Sequence, residues 1–329
     1  MKLYLILTAV VTLIMMVSPI IPMLYLKNNT PVTFTSSKTS EHNVTTTVKQ
    51  NNTISVLQAS SGKITDTEMF DYVCGALAYE MPLSFHPEAL KAQAVACYTY
   101  ALWIKKNADN AQNELSEITD SSDIHQGFLT EEQMREKWKD DFEENYQKLR
   151  QTVSSVYNQY ISYDNEPILA MYHSISAGKT ESAENVFGEN LPYLQSVSAP
   201  GDKLSPKYMS TLTITAEEFK NKLKNIENMS FDFDSKPITI LTKTDTGYVS
   251  QVNVYSQKTD SRQLRGLLDL KSTFFDVNIV DNNITLSVYG SGHGVGMSQY
   301  SADYMARQGY TYEEILMHFY KNTTLEKND

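Results

Sequence analysis

The chain has 329 residues, room for one large domain or two smaller ones with a sizeable core. Its 28 basic and 39 acidic residues give a formal net charge of −11, and 41% of the residues are hydrophobic. Phosphate binding needs clustered Lys and Arg, so this balance argues against nucleic acid or an anionic membrane surface as the main partner. Neutral and polyhydroxyl ligands stay open.

At the front end, Leu3–Leu26 ("LYLILTAVVTLIMMVSPIIPMLYL") has no charged residue. As a helix it would span about 36 Å, more than the ~30 Å hydrocarbon core of a bilayer. A cleaved signal peptide competes with this reading, but its apolar stretch would be shorter, and no Ala-x-Ala site follows Pro19 and Pro22. The expectation is a single N-terminal transmembrane helix within residues 1–27, anchoring the protein in the cell membrane with the remainder extracytoplasmic. Residues 28–63 are rich in Ser, Thr and Asn without a sustained apolar period, and read as a flexible stalk. Residues 64–329 then form the working domain.

Thr65 and Glu68 have capping-box spacing, and Met69, Phe70, Val73, Cys74 and Leu77 recur at helical period, so a helix is predicted from Thr65 towards Pro82. A second helix starts in "FHPEALKAQAVACYTYAL", with Pro87 suited to its first turn. Between Pro87 and Ile104 its only charged residues are Glu88 and Lys91, the pattern of a core helix whose first turn emerges at the core's edge. The helix N-terminus favours the Glu88 carboxylate by about 0.3–1 kcal/mol, while partial burial favours the protonated acid. Glu88 is therefore either a dipole partner or a general acid.

Residues 130–160 read as helical, and "QYISYDNEPILAMYH" as strand, turn and strand. A helix is predicted over 213–226. From Ile238, "ITILTKTDTGYVSQVNVYS" and "FFDVNIVDNNITLSVYG" alternate around turn residues and read as hairpins. Helices over Ser298–Gln308 and Tyr312–Tyr320 close the chain. The class is α+β, helices packed with antiparallel β-hairpins, with no internal repeat and no clean domain boundary. Cys74 and Cys97 lie in no CxxC motif or Cys/His cluster, and read as two buried side chains or a disulfide.

Two stretches outside the second helix could carry chemistry. "GSGHGVGMSQY" (290–300) alternates four glycines with other residues, which lets a backbone come close to a ligand. No Lys-Ser/Thr follows and no G-x-G-x-x-G spacing occurs, so a nucleotide cradle is excluded and His293 is the residue left to explain. In "MYHSISAGKTESAENVFGENLPYLQSV", His173 and Ser174 are adjacent and no G-x-S-x-G elbow precedes them, against a serine hydrolase. This loop-rich segment carries His173, Thr180, Glu181, Glu184 and Tyr193.

Three blocks, "EMPLSFHPEALKAQAVACYTYAL", "HSISAGKTESAENVFG…PYLQSV" and "GSGHGVGMSQYSADYMARQGYTYEEIL", resemble the signature blocks of the stage II sporulation protein D family, which includes amidase-enhancer-like proteins. "RQLRGLLDLKSTFF" and "DSSDIHQGF" fit the pattern between them, so the resemblance spans about residues 65–325. It implies a peptidoglycan lytic transglycosylase that cleaves peptide-stripped glycan strands to 1,6-anhydromuramoyl ends during forespore engulfment, without a cofactor. The acid of the "PEALKAQA" block is Glu88, which the resemblance makes the catalytic residue. One carboxyl suffices for this chemistry, because the muramoyl C6 hydroxyl replaces the attacking water that ordinary glycosidases activate with a second carboxylate.

The implied partners are a membrane-bound amidase/endopeptidase and a polytopic membrane protein. The competing reading is a non-catalytic wall-binding module that positions or stimulates the amidase. Glu80, before Pro82 at a helix end, reads as structural. Tyr193, His293, Ser298 and Gln299 are expected to line the glycan cleft, offering a stacking face and hydrogen-bond donors to an uncharged sugar. Some relatives carry a Cys/His zinc cluster where "ITDSSDIHQGF" keeps only His125, so no metal is expected here. Ser301 stands where the family has glycine.

Overall fold

The computed structural model describes residues 52–108, 118–121, 125–223 and 232–328. In Thr53–Leu57 (β1) alternate residues Ile54 and Val56 are buried, the two-residue period of a strand with one covered face. It pairs antiparallel with Ile64–Glu68 (β2), which runs into Met69–Glu80 (α1). Pro82 ends that helix, and Pro87–Ala108 (α2) follows. Alanines on several sides of α2 (Ala89, Ala92, Ala94, Ala96 and Ala101) are buried, so neighbours can approach it closely from all directions.

Ile118–Thr119 (β3) adds a parallel strand to β1. Glu131–Trp138 (α3) starts on a capping box of Thr130 and Gln133 and breaks at Lys139, whose φ is +49°. Phe142–Val156 (α4) resumes the helical stretch and packs on α1 and α2. Gln159–Tyr163 (β4) and Glu166–Pro167 (β5) form a hairpin, and Tyr172–His173 (β6) and Ala183–Phe187 (α5) follow.

The chain then leaves the first core and builds a second. Met209–Thr215 (β7), Ala216–Leu223 (α6), Ile238–Lys243 (β8), Val249–Val254 (β9), Gln257–Asp260 (β10), Ser261–Leu268 (α7), Phe275–Val280 (β11) and Asn283–Tyr289 (β12) enclose Phe219, Val252, Tyr255, Leu264, Phe275 and Leu286. Its two antiparallel sheets have the orders β10-β9-β8 and β11-β12-β7. Met297–Ser298 (β13) returns the chain to the first core by pairing parallel with β6, and Gln299–Arg307 (α8) and Tyr312–Phe319 (α9) pack on α2. Thr324–Lys327 (β14) completes the sheet beside β4.

The α+β class with antiparallel hairpins is what the structure shows. The transmembrane part of the fold expectation, and the single-pass cell-membrane localisation derived from it, are corrected. Among the described residues no helix is long and apolar enough to cross a membrane. The longest described helix, α2, carries Glu88, Lys91, Lys105 and Lys106 along its length. Residues 1–51, which hold the expected anchor and most of the expected stalk, lie outside the described residues. The folded part reaches ahead of residue 64, since β1 belongs to the first core.

Two further differences have local causes. Thr65 and Glu68 sit in a strand rather than a capping box, because Ile64–Glu68 pairs residue by residue with β1 and the helix starts at Met69 without a side-chain cap. The second core, unseen as a unit in the sequence, exists because β7 pairs with β12 across more than sixty intervening residues.

Candidate active site

A cavity of about 620 Å³ lies between the two cores. The first core contributes Glu80, Gln126 and Tyr172 to its wall, the second contributes Tyr248 and Arg265, and Phe187 and His293 close the side between them. A site at such a junction, mostly apolar with a few converging polar groups, is where a small-molecule or sugar ligand is expected.

Glu80 is the last residue of α1, at the negative end of the helix dipole, which disfavours its ionised form. Gly75 lets the segment after His125 lie directly on α1, because a Cβ there would stand 2.3 Å from the Phe128 ring and 2.4 Å from the Leu129 carbonyl oxygen. That close approach brings the Gly127 N–H to Glu80 Oε1 at 2.9 Å. Gln126 turns inward, donating to the Tyr72 hydroxyl at 2.8 Å and accepting from the Tyr172 hydroxyl at 2.9 Å. Gln299 Nε2 lies 3.5 Å from Glu80 Oε2. Burial raises the Glu80 pKa above its ordinary value; the Gly127, Gln299 and Tyr172 hydrogen bonds and Lys137 oppose the rise without cancelling it. The result is a carboxyl biased towards its protonated form and facing a cavity.

Glu88 does not line that cavity. Its Oε1 pairs with Lys91 Nζ at 2.7 Å, and its Oε2 accepts the N–H of Tyr312, the first residue of α9, at 2.9 Å. Lys91 also lies 5.7 Å from the centre of the Tyr312 ring. The carboxylate thus ties the first turn of α2 to the first turn of α9, in the position where a helix N-terminus favours an anion.

The other expected residues divide. His293 lines the cavity from the glycine loop, with Nδ1 accepting the Val295 N–H at 3.0 Å and its ring 5.8 Å from Phe187. Burial first, then the neighbouring His173 and Arg265, push its pKa down to about 3, so it is a neutral imidazole at working pH. Gln299 is buried and reaches Glu80. Ser298 is fully buried, caps α8 through the Ser301 N–H and donates to Asp202 Oδ1 at 2.6 Å. Tyr193 packs on Tyr163 at 5.5 Å between ring centres, with its hydroxyl 3.4 Å from the Leu169 nitrogen. Neither Ser298 nor Tyr193 lines the cavity.

Gln126 and Tyr172 line the cavity without being singled out by the sequence, which reads Glu80 as structural. A signal for Glu80 was available, since an acid closing a helix just before a proline turn has its charge at the wrong end of the dipole. Glu181 also lines the cavity, but its four acceptor bonds from the Ser182 N–H, Asn185, Thr244 and Thr246 make it a tie between the two cores. Among the described residues no group of three or more His, Cys, Asp or Glu could hold a metal ion. Cys74 and Cys97 are buried free thiols, pushed up to about 12 by burial.

The arrangement is that of an α+β protein with a polar-ligand cavity, equipped with one acid whose pKa burial raises, amides and hydroxyls. A family profile described as "Stage II sporulation protein" matches residues 58–163. The chain is 33% identical over 276 residues to stage II sporulation protein D of Bacillus amyloliquefaciens, covering 84% of this chain and 79% of that one. The same identity and coverage hold for stage II sporulation protein D of Bacillus subtilis strain 168. The amidase enhancer of Bacillus subtilis is 27% identical over 304 residues, covering 76% of this chain and 40% of that protein. The chain belongs to the stage II sporulation protein D family.

Proposed function

We propose that the protein is a peptidoglycan lytic transglycosylase acting on peptide-stripped glycan strands during forespore engulfment, with Glu80 as its single acid/base. The observation that carries this reading is the Glu80 carboxyl, biased towards protonation and facing the inter-core cavity. Protonated Glu80 donates to the glycosidic oxygen as the bond to the muramoyl C1 breaks. The muramoyl C6 hydroxyl then bonds to C1 and returns its proton to the Glu80 carboxylate. One proton leaves and one comes back, no water is consumed, and the products are a 1,6-anhydromuramoyl end and a free sugar hydroxyl. A general acid at neutral pH needs a raised pKa, and of the two glutamates in this block Glu80 has the burial that raises it. Glu88, the acid the family resemblance points to, holds an ion pair and a helix terminus instead.

The similarity to a protein named amidase enhancer favours a second reading, a non-catalytic wall-binding module that positions or stimulates a partner amidase. Incubating the purified protein with peptide-free glycan strands separates the two. Mass spectrometry is expected to find anhydromuramoyl products; their absence, with glycan still bound, selects the binding module.

His293 is expected to support the substrate rather than the proton. With Nδ1 already accepting the Val295 N–H and a further hydrogen bond to the Tyr172 backbone, the neutral ring offers sugar a face rather than a free acceptor, and it does not titrate between pH 5 and 8. His293→Ala should raise KM several-fold and leave measurable kcat. A loss of kcat as deep as that of a Glu80 variant would make His293 part of the proton transfer.

A further inference from the structure

Helix α7 places two arginines near the cavity, and their surroundings differ. Arg262 is held by Asp260, Nε to Oδ1 at 2.9 Å and Nη2 to Oδ2 at 2.7 Å, and its Nη1 donates to the Val186 carbonyl. Arg265, almost one turn on, is partly buried and lines the same cavity, yet its Nε alone is engaged, donating to the Leu270 carbonyl at 3.1 Å. Among the described residues it has no ion pair, and Asp269 acts on it only through space. Both Nη groups are left over. Arginine stays charged in proteins, so a partly buried guanidinium that faces a cavity with two unengaged Nη groups is placed to receive an anionic group of a ligand.

The acids of the cavity do not occupy that place. Glu181 already accepts four hydrogen bonds and Asp260 is taken by Arg262. Among the described residues none of the other cavity acids, Glu80, Glu189 and Asp269, forms an ion pair with Arg265. The place beside Arg265 is open to an anionic group of the ligand. A planar fork with two free N–H groups matches a carboxylate in bidentate fashion. On a glycan strand built of neutral N-acetyl sugars, the lactyl ether of the muramoyl residue is the place where a carboxylate occurs. It is free when the stem peptide has been removed, and becomes an uncharged amide when the peptide is attached.

We propose that Arg265 binds the free lactyl carboxylate of a muramoyl residue and thereby makes the cavity selective for peptide-stripped strands. This rests on the glycan reading above. Arg265 is a specificity residue in this scheme: Glu80 moves the proton, and the guanidinium reads whether the neighbouring muramoyl unit carries a charge. His293 stands between the two functions, close enough to Arg265 for that cation to help keep the imidazole neutral.

Calorimetric titration of the full chain with two soluble oligosaccharides tests this. One carries free lactyl carboxylates, the other the same sugars with each carboxyl converted to its methylamide, and all proteins carry Glu80→Gln to limit turnover. With Arg265 intact, the carboxylate form should bind about tenfold or more tighter, the scale of one charge-assisted hydrogen bond. Arg265→Gln should bring the two ligands to equal affinity by weakening only the carboxylate form, and Arg265→Lys should fall between. Equal affinity for both ligands with Arg265 intact overturns the carboxylate subsite and leaves the glycan reading standing. Binding of neither ligand removes the glycan reading, and the subsite with it. Discrimination that survives in Arg265→Gln assigns the carboxylate to another residue and overturns the proposal. Because the first comparison is made in one protein, it decides the matter even if Arg265→Gln folds poorly.

Discussion

Glu80→Gln is expected to reduce release of anhydromuramoyl ends by about 10²–10⁴-fold or more, the range for loss of an acid–base group, and to make the protein more stable at neutral pH. Glutamine keeps the size and can still accept the Gly127 N–H, but it can neither give nor take the proton. The stability effect follows from the direction of the pKa shift. Burial raises the Glu80 carboxyl in the folded state above its unfolded value of about 4.3, so between those two values the folded state holds a proton that the unfolded state has lost. That contribution to stability is fully present below the unfolded pKa and is lost as pH rises through the folded one. Above it the wild type carries a buried charge that glutamine lacks. The Tm difference between variant and wild type should therefore open in favour of the variant as pH rises from about 4 towards neutrality.

The matched control is Glu88→Gln. It loses the pair with Lys91, whose side chains are 29% and 23% exposed, and keeps an acceptor for the Tyr312 N–H. A partly exposed pair of this kind contributes about 1 kcal/mol or less, so cleavage should stay within about tenfold of wild type with a slightly lower Tm. If instead Glu88→Gln is dead and Glu80→Gln retains wild-type turnover, the proton belongs to Glu88 and the cavity acid is structural. Measuring both variants on the same glycan, with Tm against pH for each, distinguishes loss of chemistry from loss of fold.

What the sequence disclosed and what it concealed divide along contact distance. Helix α2 was readable because its composition is local: Glu88 and Lys91 are its only charges before Lys105, and most of the remaining residues are apolar and buried. Helices α8 and α9 and the hairpins β8–β9 and β11–β12 were readable for the same reason, their turns and caps lying next to the residues they serve. The strand β2 was not, since Thr65 and Glu68 have the spacing of a cap and only the neighbouring strand β1 makes them extended. The site was harder still. Glu80 becomes a candidate acid through burial by distant segments, which outweighs the hydrogen bonds of Gly127, Tyr172 and Gln299, and Glu88 becomes a helix tie through Tyr312, 224 residues away in the chain. A motif marks both glutamates alike. The burial that separates them is made by residues from other parts of the sequence.

Gly296→Ala should be the most damaging single change in the glycine loop, lowering stability by about 3 kcal/mol or more. Gly296 has φ of +73°, a region that costs an alanine about 1–2 kcal/mol. The greater part of the damage is steric. A Cβ at this position would stand 1.9 Å from the Met171 carbonyl oxygen and 2.7 Å from its carbon. That carbonyl cannot step aside, because it accepts the Met297 N–H at 3.1 Å and the hydroxyl of the fully buried Tyr320 at 2.9 Å. Relief of the clash must come from separating β13 from β6, the pairing that sets Met297 against Tyr172 and Ser298 against His173. The damage therefore reaches the cavity: Tyr172 loses its register against Gln126, and Gln299, next along the chain, is drawn away from Glu80. Gly266→Ala is the internal comparison, since it lies in helix α7 with nothing within 4 Å of the added Cβ. There alanine should raise stability by about 0.5–1 kcal/mol. Thermal unfolding of both variants, followed with glycan cleavage on the folded fraction, reads the two effects separately. A Gly296→Ala protein with the wild-type midpoint would mean that the Met171 carbonyl can move, and that the β6–β13 register does not depend on this glycine.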